Sequence, residues 1–302
     1  MAWLGQGEDE FIELPTGQKL CYRQFGPAAG EPVVLLAGLG LQLISWPASF
    51  VNALAEEGYR VLLPDNRDVG LSFRMEGKPP GKWQQFRGQA PDAPYALEDM
   101  AEDTAQWLAQ LGIGSAHVIG MSMGGMIAQC LAAQQADRVR SLTSIFSTTG
   151  APRVGKPALT TMLRMARPAA RDLNQAQRRH AAMMRHIGDA QVPGIHQHWR
   201  RYMEEAWARN GYNANAGGVA RQIGAIFRSG DRTEQLGRIR SETLIIHGTR
   251  DRMVHPSGGL ATAEAIPGAR LLFAPRLRHQ LDDARTPELI EPILGLLQRN
   301  GR

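Results

Sequence analysis

The sequence predicts an α/β fold: a mostly parallel central sheet with helices on both faces and a single helical insertion. Short continuous apolar runs recur along the chain, the texture of strands buried on both faces. Amphipathic stretches of helical period lie between most of them. Strands alternating with helices specify a parallel sheet that binds ligands at its strands' carboxyl ends. The third observation is a middle segment with no apolar strand run. At 302 residues, 43% of them hydrophobic, the chain can bury a large core.

Taken in order, 11–14 and 19–25 flank Pro15-Thr16-Gly17, which supplies the turn of a hairpin. Strand runs follow at 32–37, 60–64, 116–120, 142–146, 243–247 and 269–274. Helices are expected at 47–57, 99–111, 124–135, 258–265 and 287–298. From about 150 to 238 the pattern is helical only, at 157–167, 172–186, 195–208 and 217–228, punctuated by Pro168, Pro193, Gly211 and Gly217-Gly218. The expected organisation is a core of 1–149 and 239–302, with 150–238 as a cap over the strand ends.

Charge separates the same segments. Residues 151–240 hold 16 Lys+Arg against 6 Asp+Glu, whereas the remainder holds 18 against 23. These arginines are scattered at helical spacing without aromatic platforms, so a solvated helical face is expected and no nucleic-acid partner. No apolar run reaches the roughly 18 residues of a membrane helix. The opening Met1–Gln6 lacks the basic end and apolar run of a secretion signal, so a cytoplasmic protein without membrane association is expected. Cys21 and Cys130 read as buried free thiols, and two cysteines without a His/Asp/Glu cluster build no zinc site. His180, His186, His196 and His198 read as packing or surface residues rather than ligands. No metal or organic cofactor is implied.

The chemistry centres on Gly120-Met121-Ser122-Met123-Gly124. A serine hydroxyl is a weak nucleophile that needs a neighbouring base. Gly-x-Ser-x-Gly at a sharp strand-to-helix turn lifts the serine above the sheet, and its glycines let strand and helix approach. The run 116–120 precedes it and the helical stretch from Gly125 follows, so both sides of the required context are present.

With this elbow, the helical insertion and a late histidine, the chain resembles the α/β-hydrolase fold superfamily over essentially its full length. Pro64-Asp-Asn-Arg-Asp-Val-Gly-Leu-Ser72, Ala37-Gly-Leu-Gly40 and Trp46-Pro47 resemble the branch containing aclacinomycin methylesterase and related carboxylesterases. The resemblance implies the chain order nucleophile, acid, histidine. Asp251, in His247-Gly-Thr-Arg-Asp251, matches the acid's position, and the alternative strand end Ser147-Thr-Thr-Gly150 offers no carboxylate. His279 matches the base and is the only histidine after residue 255. Relatives commonly carry a small residue before it, where this chain has Arg278, a change expected to tune the base or narrow the entrance. His247 is expected to support the acid's loop. The Arg67-Asp68 pair matches a bracing segment rather than catalytic groups.

The oxyanion donors implied are the backbone N–H groups of Met123 and Leu39. A histidine often precedes the glycine of that second loop, but a backbone donor needs no particular side chain, and Gly38 and Gly40 permit close approach. Met121, Met126, Trp46, Met162 and Met165 are candidates for an adaptable apolar pocket, packing being the other reading. The expected activity is hydrolysis of a hydrophobic carboxylic ester through an acyl-enzyme. Perhydrolysis and carbon–carbon hydrolysis use the same groups, and a ligand-binding protein on this fold is the non-enzymatic alternative. A dehalogenase or epoxide hydrolase would need a carboxylate nucleophile where Ser122 stands.

Overall fold

The computed structural model describes residues 7–165, 170–209 and 216–301. Met1–Gln6, the end of the helix expected at 157–167, Pro168 and Gly211 therefore lie outside the described residues.

The hairpin forms as expected from β1 (Glu10–Glu13) and β2 (Lys19–Phe25), paired antiparallel. Then come β3 (Pro32–Leu36), α1 (Ala48–Glu56), β4 (Arg60–Pro64), α2 (Lys82–Arg87), α3 (Leu97–Gln110), β5 (Ala116–Met121), α4 (Met123–Gln134) and β6 (Val139–Ile145). Five helices follow: α5 (Leu159–Met165), α6 (Leu173–Ile187), α7 (Ile195–Arg209), α8 (Ala216–Ser229) and α9 (Thr233–Leu236). The chain ends with β7 (Glu242–Gly248), α10 (Ser257–Ala265), β8 (Arg270–Ala274) and α11 (Thr286–Arg299). The spatial strand order is β1-β2-β4-β3-β5-β6-β7-β8. From β4 to β8 every pairing is parallel, while β2 joins β4 antiparallel.

The sheet divides two apolar cores. On one face α1 and α11 pack together, burying Phe50, Leu54, Ile293 and Leu297 against Val33, Leu35 and Ile246. On the other, α3 packs on α4, burying Trp107, Leu108, Ile127 and Leu131 against Val34 and Val118. Cys21 lies in the first core and Cys130 in the second; both are free thiols. The chain enters α3 through Ala96, whose N–H donates to the Asp99 carboxylate (2.7 Å), satisfying a donor the helix leaves open. No described helix is long and apolar enough to cross a membrane.

β5 is buried along its whole length at the middle of the sheet, so the residue that follows it emerges over the centre of the carboxyl edge. The helices between β6 and β7 also reach this edge: α7 packs on the 3-10 turn Leu43–Ser45 after β3, and α8 on α3.

Candidate active site

Ser122 follows β5 directly, at φ 55° and ψ −120°. This left-handed backbone is strained for a residue with a side chain, on the order of 1–3 kcal/mol, and persists only where neighbours enforce it. Here they do. The Ser122 N–H donates to the Ile145 carbonyl (2.9 Å), and its own carbonyl accepts from Ser147 Oγ (2.9 Å). A Cβ on Gly120 would stand 2.2 Å from the Gly124 carbonyl oxygen, and one on Gly124 2.1 Å from that of Leu36. Both flanking glycines are thus required by contact with backbone.

His279 comes from the loop after β8, its own N–H donating to the Ile187 carbonyl at the end of α6 (3.0 Å). Its Nε2 lies 2.9 Å from Ser122 Oγ and its Nδ1 2.7 Å from Asp251 Oδ2. A carboxylate oxygen only accepts, so Nδ1 carries the proton and Nε2 presents its lone pair to the serine hydroxyl. Phe146 holds one side of the imidazole, with ring centroids 4.6 Å apart. Asp251 is fixed through its other oxygen, which accepts from the Met253 and Val254 N–H groups (2.8 and 2.9 Å).

His247 supports this loop, as expected. Its Nε2 is 2.9 Å from the Val254 carbonyl, which requires a proton on that nitrogen. Burial holds its pKa below the ordinary histidine value, so it stays neutral beside Asp251. Arg278 is engaged beyond α6, where its guanidinium donates to the Gly188 carbonyl (3.3 Å).

Leu39 and Met123 flank the serine from two sides. Met123 opens α4, whose first-turn N–H groups have no partner within the helix. A Cβ on Gly38 would lie 3.3 Å from Ser122 Cβ, so the loop after β3 rests against the turn at Ser122. The Gly38 carbonyl accepts from the Leu41 N–H (3.1 Å). In a trans peptide the N–H points opposite to the C=O, so this bond turns the Leu39 N–H outward from the loop.

The pocket candidates lie in three places. Met121 and Trp46 are buried in the core under α1 and α11, Trp46 against Phe50 with ring centroids 5.2 Å apart. Met126, on α4, is buried in the other core. Met162 and Met165 remain 49% and 37% exposed on α5, beside exposed Leu159 and Leu163. The buried position of α5 is Thr161, whose hydroxyl reaches His186 Nε2 and the Arg252 carbonyl (2.8 and 2.9 Å).

Arg67 forks onto Asp103 (2.6 and 2.7 Å), and Asp68, at φ 73°, accepts from the Tyr95 hydroxyl (2.7 Å) and Arg221 Nε (2.9 Å). Both are tied into packing contacts, the bracing part expected of them. Sequence reasoning missed Asp65, which ends the apolar run of β4 as a fully buried carboxylate. It accepts from the Leu43 and Leu71 N–H groups (2.8 and 2.9 Å) and pairs with Arg209 (3.0 Å). Burial pushes its carboxyl above the ordinary range against the pull of Arg209. Also missed were Arg209, Arg221 and Gln222, which no spacing pattern marks. Among the described residues no group of three or more His, Cys, Asp or Glu is placed to hold a metal ion.

Known proteins share this arrangement of chain. A family model of the alpha/beta hydrolase fold matches residues 31–281. Rhodomycin D methylesterase of Streptomyces sp. (strain C5) is 28% identical over 276 residues, covering 85% of this chain and 87% of that protein. Among solved structures, an esterase from Rhodococcus sp. ECU1013 superposes with a TM-score of 0.73 at 20% identity, covering 97% of this chain and 99% of that one. An enol-lactonase from Burkholderia xenovorans LB400 gives 0.70 at 24% identity, covering 96% and 100%. The sheet order, the turn at Ser122 and a match that spans most of the chain lead to one assignment: this protein belongs to the α/β-hydrolase fold family.

Proposed function

We propose that the protein is a serine hydrolase that cleaves carboxylic esters through an acyl-enzyme. The observation that carries this reading is the unbroken relay from Ser122 Oγ through His279 to Asp251, at 2.9 and 2.7 Å, on a strained turn. Ser122 Oγ attacks the ester carbonyl while its proton passes to His279 Nε2, and Asp251 stabilises the resulting imidazolium. The carbonyl oxygen, now anionic, is held by the Leu39 and Met123 N–H groups. Collapse expels the alcohol, which takes the proton from His279 and leaves the acyl group on Ser122. Water then attacks with His279 as base, and the acid departs as the serine regains its proton.

The segment 150–238 is read as the cap of this site, because α7 and α8 reach the loop after β3. The similarity to a methylesterase makes methyl and other small-alcohol esters of hydrophobic acids the first substrates to try. Ser122→Ala is expected to abolish turnover of p-nitrophenyl acetate with the circular dichroism spectrum unchanged, and wild type to label at Ser122 with a fluorophosphonate. Undiminished hydrolysis in that variant would sink the assignment. Folded wild type that refuses the label would favour the non-enzymatic alternative.

A further inference from the structure

One amide on α8 bonds directly to the loop that presents Leu39. Gln222 is fully buried, its Oε1 accepts from the Gly40 N–H (2.8 Å), and its Nε2 donates to the Arg67 carbonyl (2.9 Å). Gly40 itself sits at φ +67° beneath Val219 of the same helix, where a Cβ would lie 3.0 Å from Val219 Cγ2. α7 holds the next residues: Gln42 donates its N–H to the Tyr202 hydroxyl (3.3 Å) and its Nε2 to the Ala206 carbonyl (2.8 Å). Arg209 donates to Gln42 Oε1 (2.7 Å) while anchored on Asp65 and Asp9. From the core side Asn66 donates to the Ala37 carbonyl (3.2 Å).

We propose that Gln222 is a positioning residue for the oxyanion hole, through which the helical segment between β6 and β7 sets the aim of the Leu39 N–H. Consecutive peptide planes have fixed partners: Ala37–Gly38 by Asn66, Gly38–Leu39 by the turn to Leu41, and Leu39–Gly40 by Gln222. The Leu39 N–H lies in the Gly38–Leu39 plane, so turning it away from Ser122 changes the torsions at both Gly38 and Leu39, and the Leu39 torsions link that plane to the next one, which Gln222 holds. The Gln222 bond to Gly40 opposes that motion. An oxyanion donor acts by being preorganised, so loosening it weakens the transition state more than the bound ester.

This inference rests on the ester-hydrolase reading, and its test separates the two. The probes are p-nitrophenyl acetate turnover and inhibition by an aryl trifluoromethyl ketone. Ser122 Oγ adds to the ketone carbonyl as its proton passes to His279, giving a tetrahedral oxyanion on the same donors. Losing one such donor outright costs about 10²–10³ in rate, so Gln222→Met, which only frees it, is expected to lower kcat about 10–100-fold with KM within about threefold. Affinity for the ketone falls by a similar factor, and Tyr202→Phe shows the same signature at about 3–10-fold. Should Gln222→Met fail to accumulate as folded protein, Tyr202→Phe carries the test alone. Unchanged kcat and ketone affinity in the folded variant, or a loss confined to KM, overturns the positioning role. Wild type that neither hydrolyses the ester nor binds the ketone overturns the ester-hydrolase reading and this inference with it.

Discussion

Asp251 divides its work between two oxygens, one accepting two backbone N–H groups and the other accepting from His279. An amide cannot do both. In Asp251→Asn the amide oxygen keeps the Met253 and Val254 donors, which turns its NH₂ toward His279 Nδ1. The imidazole then carries its proton on Nε2 and cannot take one from Ser122. We expect kcat to fall about 10³–10⁴-fold with little change in thermal midpoint, checked by ester kinetics beside calorimetry. A loss under tenfold would show that Asp251 does not set the tautomer. Ser122 was legible because the apolar run of a buried strand leads straight into its Gly-x-Ser-x-Gly turn, whereas Asp251 and His279, in the loops after β7 and β8, were legible only through the resemblance. Gln222 was not. Its partners are set by how α8 folds back on the core, 182 residues from Gly40, and no local pattern encodes that.

At the scale of elements, the close approach of α4 to β3 makes a glycine prediction with an internal control. In Gly124→Ala the new Cβ falls 2.1 Å from the Leu36 carbonyl oxygen and 2.6 Å from that of Ala37, backbone that cannot step aside. We expect a loss of more than about 3 kcal/mol by urea unfolding, or failure to accumulate. Gly114→Ala meets nothing within 4 Å and should be neutral or gain up to about 1 kcal/mol from the unfolded chain's lost freedom. Equal midpoints for the two variants would defeat this account of the elbow. Most elements were legible because strands buried on both faces read as short continuous apolar runs and the helices between them as amphipathic stretches of helical period. β6 begins three residues before the apolar run at 142, since its first turn into the sheet includes Arg140 and Ser141, and Ser141 is buried by pairing with His117 (2.8 Å). α2 and α9 escaped notice as helices of one or two turns, too short to show a period.

Across the whole molecule the two ends of the sheet differ. The carboxyl edge carries the strained serine and the polar loops fixed to α7 and α8. The amino edge carries a structural cluster: His117 on β5, fully buried, with Ser141 at 2.8 Å, Glu31 at 3.8 Å and the Tyr59 ring edge-on. Arg140 pairs with the same Glu31 at 2.9 Å. Burial pushes His117 down to about 4, with Arg140 adding to the effect and Glu31 opposing it. The unfolded chain therefore takes up a proton, below about pH 6.5, that the folded state refuses. Stability from this group is complete above that pH and is lost as pH falls toward 4. Over that interval it amounts to about 2–3 kcal/mol. Asp65, Asp103 and Asp282, whose carboxyls burial raises, change stability with the opposite sign in acid, so the wild-type curve alone mixes the two. The difference between wild type and His117→Gln isolates the histidine. Urea midpoints measured from pH 4.5 to 7.5 should show wild type gaining on the variant up to about pH 6.5 and running parallel above it. Curves parallel throughout would mean that burial does not shift His117, and wild type losing ground to the variant above about pH 6.5 would mean that His117 is protonated in the fold, paired with Glu31 as an ion.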